Sequence, residues 1–151
     1  MMRGARGFTL LETLLVVAIL ALAAALAAAA VTGGFRGMEL RSTAKEMAAN
    51  LRYTRARAIS TGQPQPFTVD PATHAWTAPN GRDGEIPERL SVTVTGAREA
   101  QPAEGVGAIL FFPDGAATGG RIRLALDDAA WDIDVAWLTG EVTVSRAEVG
   151  Q

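Results

Sequence analysis

From Leu14 to Val31 the chain carries no charged or strongly polar residue. Wound as a helix, that stretch spans about 27 Å, close to the ~30 Å hydrocarbon core of a bilayer. Adding Phe8–Thr13 makes the span comfortable but brings in a carboxylate, Glu12. The pattern then changes. Thr32-Gly33-Gly34 contains two weak helix formers and predicts a soft point or kink where the chain leaves the apolar medium. Beyond it, Leu40, Ala44, Met47, Leu51, Thr54 and Ala58 recur at steps of four and three, the apolar face of an amphipathic helix. Gly62 is the expected stop, with Pro64 and Pro66 beyond it.

The rest of the chain reads in period two. Gln65–Asp70 alternates, Asp70-Pro71-Ala72-Thr73 reads as a turn, and His74–Thr77 completes a first hairpin. Pro79-Asn80-Gly81 is expected to open a polar loop. Leu90–Thr95 places Leu90, Val92 and Val94 on one face. Gly96–Gly107 reads as a polar, mobile connection. Ala108–Phe112 is a compact apolar strand. Gly119–Leu126 sets Ile122, Leu124 and Leu126 against Arg121 and Arg123. Trp131–Trp137 sets its large apolar residues against Asp132 and Asp134, and Thr139-Gly140 turns into a closing strand, Glu141–Ser145. The expected fold class is α+β: one long N-terminal helix, with a transmembrane half and an amphipathic half, packed on six to eight antiparallel strands.

Charge sharpens this division. The 151 residues have a net charge of −2, unevenly spread. Phe35–Ser60 holds six basic and two acidic residues, whereas Thr61–Gln151 holds six basic and thirteen acidic. An acidic body argues against nucleic acid as the main partner. The absence of cysteine excludes disulfides, thiolate nucleophiles and cysteine-ligated metals. A single histidine, His74, leaves little for a catalytic triad or a histidine-rich metal site, so neither an enzyme nor a bound cofactor is expected.

Three readings of the N-terminal segment compete: a secretory signal cut near Ala28-Ala29-Ala30, a plain anchor, and a prepilin-type signal. Arg3 and Arg6 precede the span without an acidic residue among them, which keeps the N-terminus cytoplasmic and exports the remainder. Glu12 separates the readings. A carboxylate inside a bilayer costs ~2.5–3.5 kcal/mol on insertion scales and is normally kept for a partner or a function.

Arg6-Gly7-Phe8-Thr9-Leu10-Leu11-Glu12 resembles the type IV pilin and pseudopilin signature. The resemblance implies cleavage between Gly7 and Phe8 by a prepilin peptidase and N-methylation of the new Phe8 amine. It also implies that the Glu12 carboxylate pairs with the N-terminal amine of a neighbouring subunit. The chain then divides into a leader (1–7), a transmembrane assembly segment (8–31), an amphipathic continuation (35–62) and a periplasmic β domain (63–151). Further on, FFPDGAATGGRIRL followed by WDIDVAWLTGEV, together with ARAISTGQPQPFTVD, resembles the GspH/FimT group of minor pseudopilins.

That resemblance implies a structural subunit near the tip of a type II secretion pseudopilus, held in the bacterial inner membrane. The implied partners are other minor pseudopilins, the major pseudopilin, the inner-membrane assembly platform and the prepilin peptidase. A FimT/FimU-like minor pilin of a type IV pilus, binding DNA for natural transformation, is the alternative. A plain membrane-anchored periplasmic binding domain is a second.

Several side chains admit a functional and a plain reading. Asp127, Asp128, Asp132 and Asp134 could suggest calcium, but the last two fall on the polar side of a strand, so a solvated face accounts for them. Gly115–Gly120 lacks the Lys-Ser/Thr and helix of a phosphate loop and reads as a hairpin loop. Arg121 and Arg123 sit in a Gly-Arg-x-Arg arrangement that resembles the DNA-contacting motif of some FimT-like proteins. Their acidic surroundings favour an exposed strand face instead. The basic residues of 35–62 read as a solvated helix face, with contact to anionic lipid or an acidic neighbour as the functional alternative. Met38 and Met47 read as core filler.

Overall fold

The structure, a computed structural model, describes residues 9–96 and 105–148. Gly7, Phe8 and most of the expected Gly96–Gly107 connection lie outside the described residues. One helix, α1, runs Leu10–Thr61. The Gly33-Gly34 pair does not end it, although each glycine costs about 1 kcal/mol relative to alanine. The chain separates into two compact units, 1–36 and 37–151.

In the first unit, Leu10–Ala27 is long and apolar enough to cross a membrane, with a mean hydropathy of 2.6 and nothing of it buried inside the protein. A helix that is apolar all round and finds no protein to bury against needs lipid or other helices. Thr9 starts it: its carbonyl and its Oγ1 accept the Glu12 N–H at 3.0 and 3.3 Å.

Among the described residues, the second unit holds the remainder of α1 and eight strands. They are β1 (Gln65–Asp70), β2 (Ala75–Ala78), β3 (Arg82–Glu85), β4 (Ser91–Gly96), β5 (Gly107–Phe111), β6 (Gly120–Leu126), β7 (Ala129–Val135) and β8 (Val142–Glu148). They form two four-stranded sheets, ordered β3-β2-β1-β5 and β4-β6-β7-β8, antiparallel throughout. Every residue of the expected helical stripe is buried: Leu40, Ala44, Met47, Leu51, Thr54 and Ala58. All of these but Thr54 share one core with Phe67, Ile109 and Phe111 from the first sheet and Ile122, Leu124 and Ile133 from the second. Each large side chain removed from water contributes about 1.5–3 kcal/mol, so this stripe is what holds helix and sheets together. Gly62 stops α1 as expected, at φ 65°, its N–H donating to the Ala58 carbonyl at 3.1 Å.

Four expectations change. Pro79-Asn80-Gly81 is a hairpin turn rather than a loop: Asn80 and Gly81 sit at φ 64° and 66°, and Arg82–Glu85 pairs back onto β2. The strand Arg-Asp-Gly-Glu has no apolar alternation to betray it, and its charges suit a short sheet edge. Gly84 is required there, since a Cβ would strike the Trp76 indole, which is itself stacked on Phe67 with centroids 5.6 Å apart. The closing strand begins at Val142 and runs three residues past Ser145. Met38 is 69% exposed, because it lies off the buried stripe. Trp137 is also 69% exposed: β7 ends at Val135, and period two lapses where the chain turns.

Candidate functional site

Glu12 occupies the first turn of α1, three residues after Thr9. Thr-Leu-Leu-Glu is the spacing of a helix capping box, a Thr-x-x-Glu signal legible in the sequence but absent from the expectations above. The carboxylate therefore lies beside the positive end of the helix dipole. It is exposed, and among the described residues it has no hydrogen-bonding or ionic partner.

Arg121 and Arg123 stand opposite Asp134 and Asp132 in the β6–β7 register. Arg123 grips Asp132 with two bonds, Nε to Oδ1 and Nη2 to Oδ2, both 2.8 Å. Arg121 bonds Asp134 at 2.6 Å and lies 3.5 Å from Asp132. Asp132 is only 5% exposed. The solvated-face reading of Asp132 is therefore corrected: the carboxylate is covered, with cations across the ladder. The Arg123 hydrogen bonds hold the Asp132 carboxyl below its ordinary pKa, against the opposing effect of burial. Arg121 and Arg123 are raised in turn, chiefly by Asp134 and Asp132 respectively. Two cations and two anions cancel, so this face offers phosphate no net positive charge. The same pairing occupies Asp132 and Asp134, two of the four aspartates considered for calcium.

The basic residues of α1 are not simply a solvated face. Arg52 Nη2 donates to the Val142 carbonyl at 2.8 Å, and Arg55 Nε to that of Gly115 at 2.9 Å. Arg41 lies over the Trp131 ring at 5.8 Å, and Arg57 reaches Asn80 at 3.4 Å. From β3, Arg82 reaches back to Asn50 at 3.1 Å and lies 4.1 Å over the Tyr53 ring. These ties lash the helix to both sheets. Gly115–Gly119 is a loop stitched to β5, with the Thr118 N–H on the Leu110 carbonyl and the Leu110 N–H on Thr118 Oγ1, and Gly120 already begins β6. His74 sits half-buried at the β1–β2 turn, φ 50°, and among the described residues no nucleophile or base is bonded to it.

The structure thus brings Arg121 and Arg123 together with the two aspartates. Glu12 belongs to the other unit, and Gly7 and Phe8 lie outside the described residues.

Two family models match the chain. One, described as type II transport protein GspH, covers residues 43–140, and the other, described as a prokaryotic N-terminal methylation motif, covers residues 2–28. The chain belongs to the GspH family. A GspH-family relative, the type II secretion system protein H of Xanthomonas campestris pv. campestris, is 57% identical over 140 residues, 93% of this chain and 83% of that protein. Solved structures share the fold at much lower identity. The minor pseudopilin EpsH of Vibrio cholerae matches with a TM-score of 0.54 at 17% identity, over 75% of this chain and 99% of that one. The type IV minor pilin FimU of Pseudomonas aeruginosa matches at 0.53 and 14%, over 70% and 92%. The long helix with its antiparallel β body is therefore the fold that this GspH-family chain has in common with pilin-like subunits.

Proposed function

We propose that the chain is a minor pseudopilin of a type II secretion system, a subunit that works by assembling rather than by catalysis. The observation that carries this is an apolar helix, Leu10–Ala27, buried against nothing, with a lone carboxylate in its first turn. Membership of the GspH family and the match to an N-terminal methylation motif support the same reading.

In this reading residues 1–7 are a leader cut after Gly7, and Phe8 becomes a methylated N-terminal amine. The segment 8–31 lies in the inner membrane, 35–62 continues the helix, and 63–151 stands in the periplasm. On entering the filament, Glu12 meets the amine of a neighbouring subunit. A buried charge is costly alone and tolerable when paired, so the pair selects correct register. The other partners are the major and minor pseudopilins, the assembly platform and the prepilin peptidase, and the subunit sits near the filament tip.

Mass spectrometry of the mature N-terminus tests the proposal. The expected mass starts at a methylated Phe8. A chain still beginning at Met1, or one beginning near Val31, would defeat it.

A further inference from the structure

The turn between β7 and β8 carries two adjacent apolar side chains, Trp137 and Leu138, exposed to 69% and 67%. It is not a loose turn. The Gly140 N–H donates to the Ala136 carbonyl at 2.8 Å, and the Ala136 N–H to that of Glu141 at 3.0 Å. The Trp137 carbonyl accepts the Ala117 N–H at 2.9 Å. Gly140, at φ 61°, has no room for a Cβ, which would strike the Gly115 carbonyl oxygen and the Arg55 side chain. Two large apolar groups are thus held in water on a pinned support. Nothing in the fold itself requires that.

Beside this ridge is a depression of about 460 Å³, lined by Arg52, Arg55 and the residues Thr139–Val142. Among the described residues, Arg52 and Arg55 each make one hydrogen bond, to a neutral backbone carbonyl. Neither makes an ion pair among the described residues, and Glu141, at the same rim, is paired with neither. A guanidinium has five N–H donors in a planar fork suited to a carboxylate, so most of their capacity is unspent. Arg121 and Arg123 differ, since acids across the ladder compensate them.

We propose that the Trp137–Leu138 ridge and the Arg52–Arg55 depression form a docking site for a neighbouring pseudopilin, whose carboxylate enters between the two guanidiniums beside apolar side chains. This rests on the assembly reading above. Charge decides the kind of partner. The unit that carries the site, 37–151, holds fifteen acidic residues against eleven basic, so a phosphate-dense surface, lipid or nucleic acid, meets a net negative body around it and is disfavoured. A single carboxylate on a protein segment is not. Trp and Arg at the centre of a patch are also the residue types that dominate protein–protein affinity.

The test places a photoreactive benzoylphenylalanine at Leu138 of the full chain, in cells carrying its secretion system. Mass spectrometry then identifies the cross-linked peptide. The expected product joins Leu138 to another pseudopilin on a peptide bearing Asp or Glu. Its yield should fall on the order of tenfold in Arg52→Gln/Arg55→Gln and in Trp137→Ser. If the arginine variant fails to accumulate, Trp137→Ser decides alone, since it removes only an exposed ring. Adducts to lipid only, or a yield that neither variant lowers, overturn the docking site while a chain that still co-isolates with the filament keeps the assembly reading. A chain that never co-isolates with pseudopilins overturns both.

Discussion

Arg123 closes a fork on Asp132, with Nε 2.8 Å from Oδ1 and Nη2 2.8 Å from Oδ2. The residues are nine apart in sequence and directly opposite in the β6–β7 ladder. Strict alternation put both on the outer face of their sheet, where a lone carboxylate would simply be solvated. The fork, with Arg121 3.5 Å away, covers it instead.

Asp132→Asn should therefore be felt. It keeps the shape and removes the charge that two arginines face. A loss of about 1–3 kcal/mol is expected, held to that range because Arg121 and Arg123 remain partly in water. Denaturant midpoints of the full chain in detergent measure it. An unchanged midpoint would mean that the ladder contributes nothing net.

The same pair sets a dependence on acid. The Asp132 pKa is lowered in the folded chain, so folding favours the ionised form. The stabilisation is complete above the ordinary carboxylate pKa, about 3.9, and is lost as pH falls through the lower folded value. Melting temperature should accordingly drop below about pH 4, and Asp132→Asn should flatten that drop. Equal slopes for the two proteins would remove Asp132 as a cause.

Compensated arginines make a poor phosphate site. Fluorescence anisotropy with a labelled DNA duplex at low salt should show no saturable binding by the full chain in detergent, and Arg121→Ala should change nothing. Saturable binding that weakens with salt and disappears in Arg121→Ala would restore the DNA-receptor reading instead.

Glu12 has two available roles, which substitution separates. Glu12→Gln preserves side-chain length and the capacity to cap the first turn but removes the charge an incoming amine needs. Both Glu12→Gln and Glu12→Ala should insert and be exported, yet fail to enter the filament, with co-isolated subunit down on the order of tenfold for a lost ion pair. Normal incorporation of Glu12→Gln with failure of Glu12→Ala would make the residue a local helix cap only.

The linear chain carried whatever depends on neighbours in sequence. The apolar run, the steps of three and four from Leu40 to Ala58, the Gly62 stop and the Asp70–Thr73 turn are all local, and each lies where periodicity and turn chemistry put it. Glu12 announced itself by being the wrong residue for its surroundings.

What folding alone decided concerns partners distant in sequence. Arg82–Glu85 is a strand because β2 pairs with it and Trp76 lies over Gly84. Asp132 is buried because register brings Arg123 opposite. Arg52 and Arg55 reach the Val142 and Gly115 carbonyls 90 and 60 residues away. Side-chain period is a property of the backbone and can be read along one strand. Charge compensation belongs to a pair, and the chain does not name the second member until it has folded.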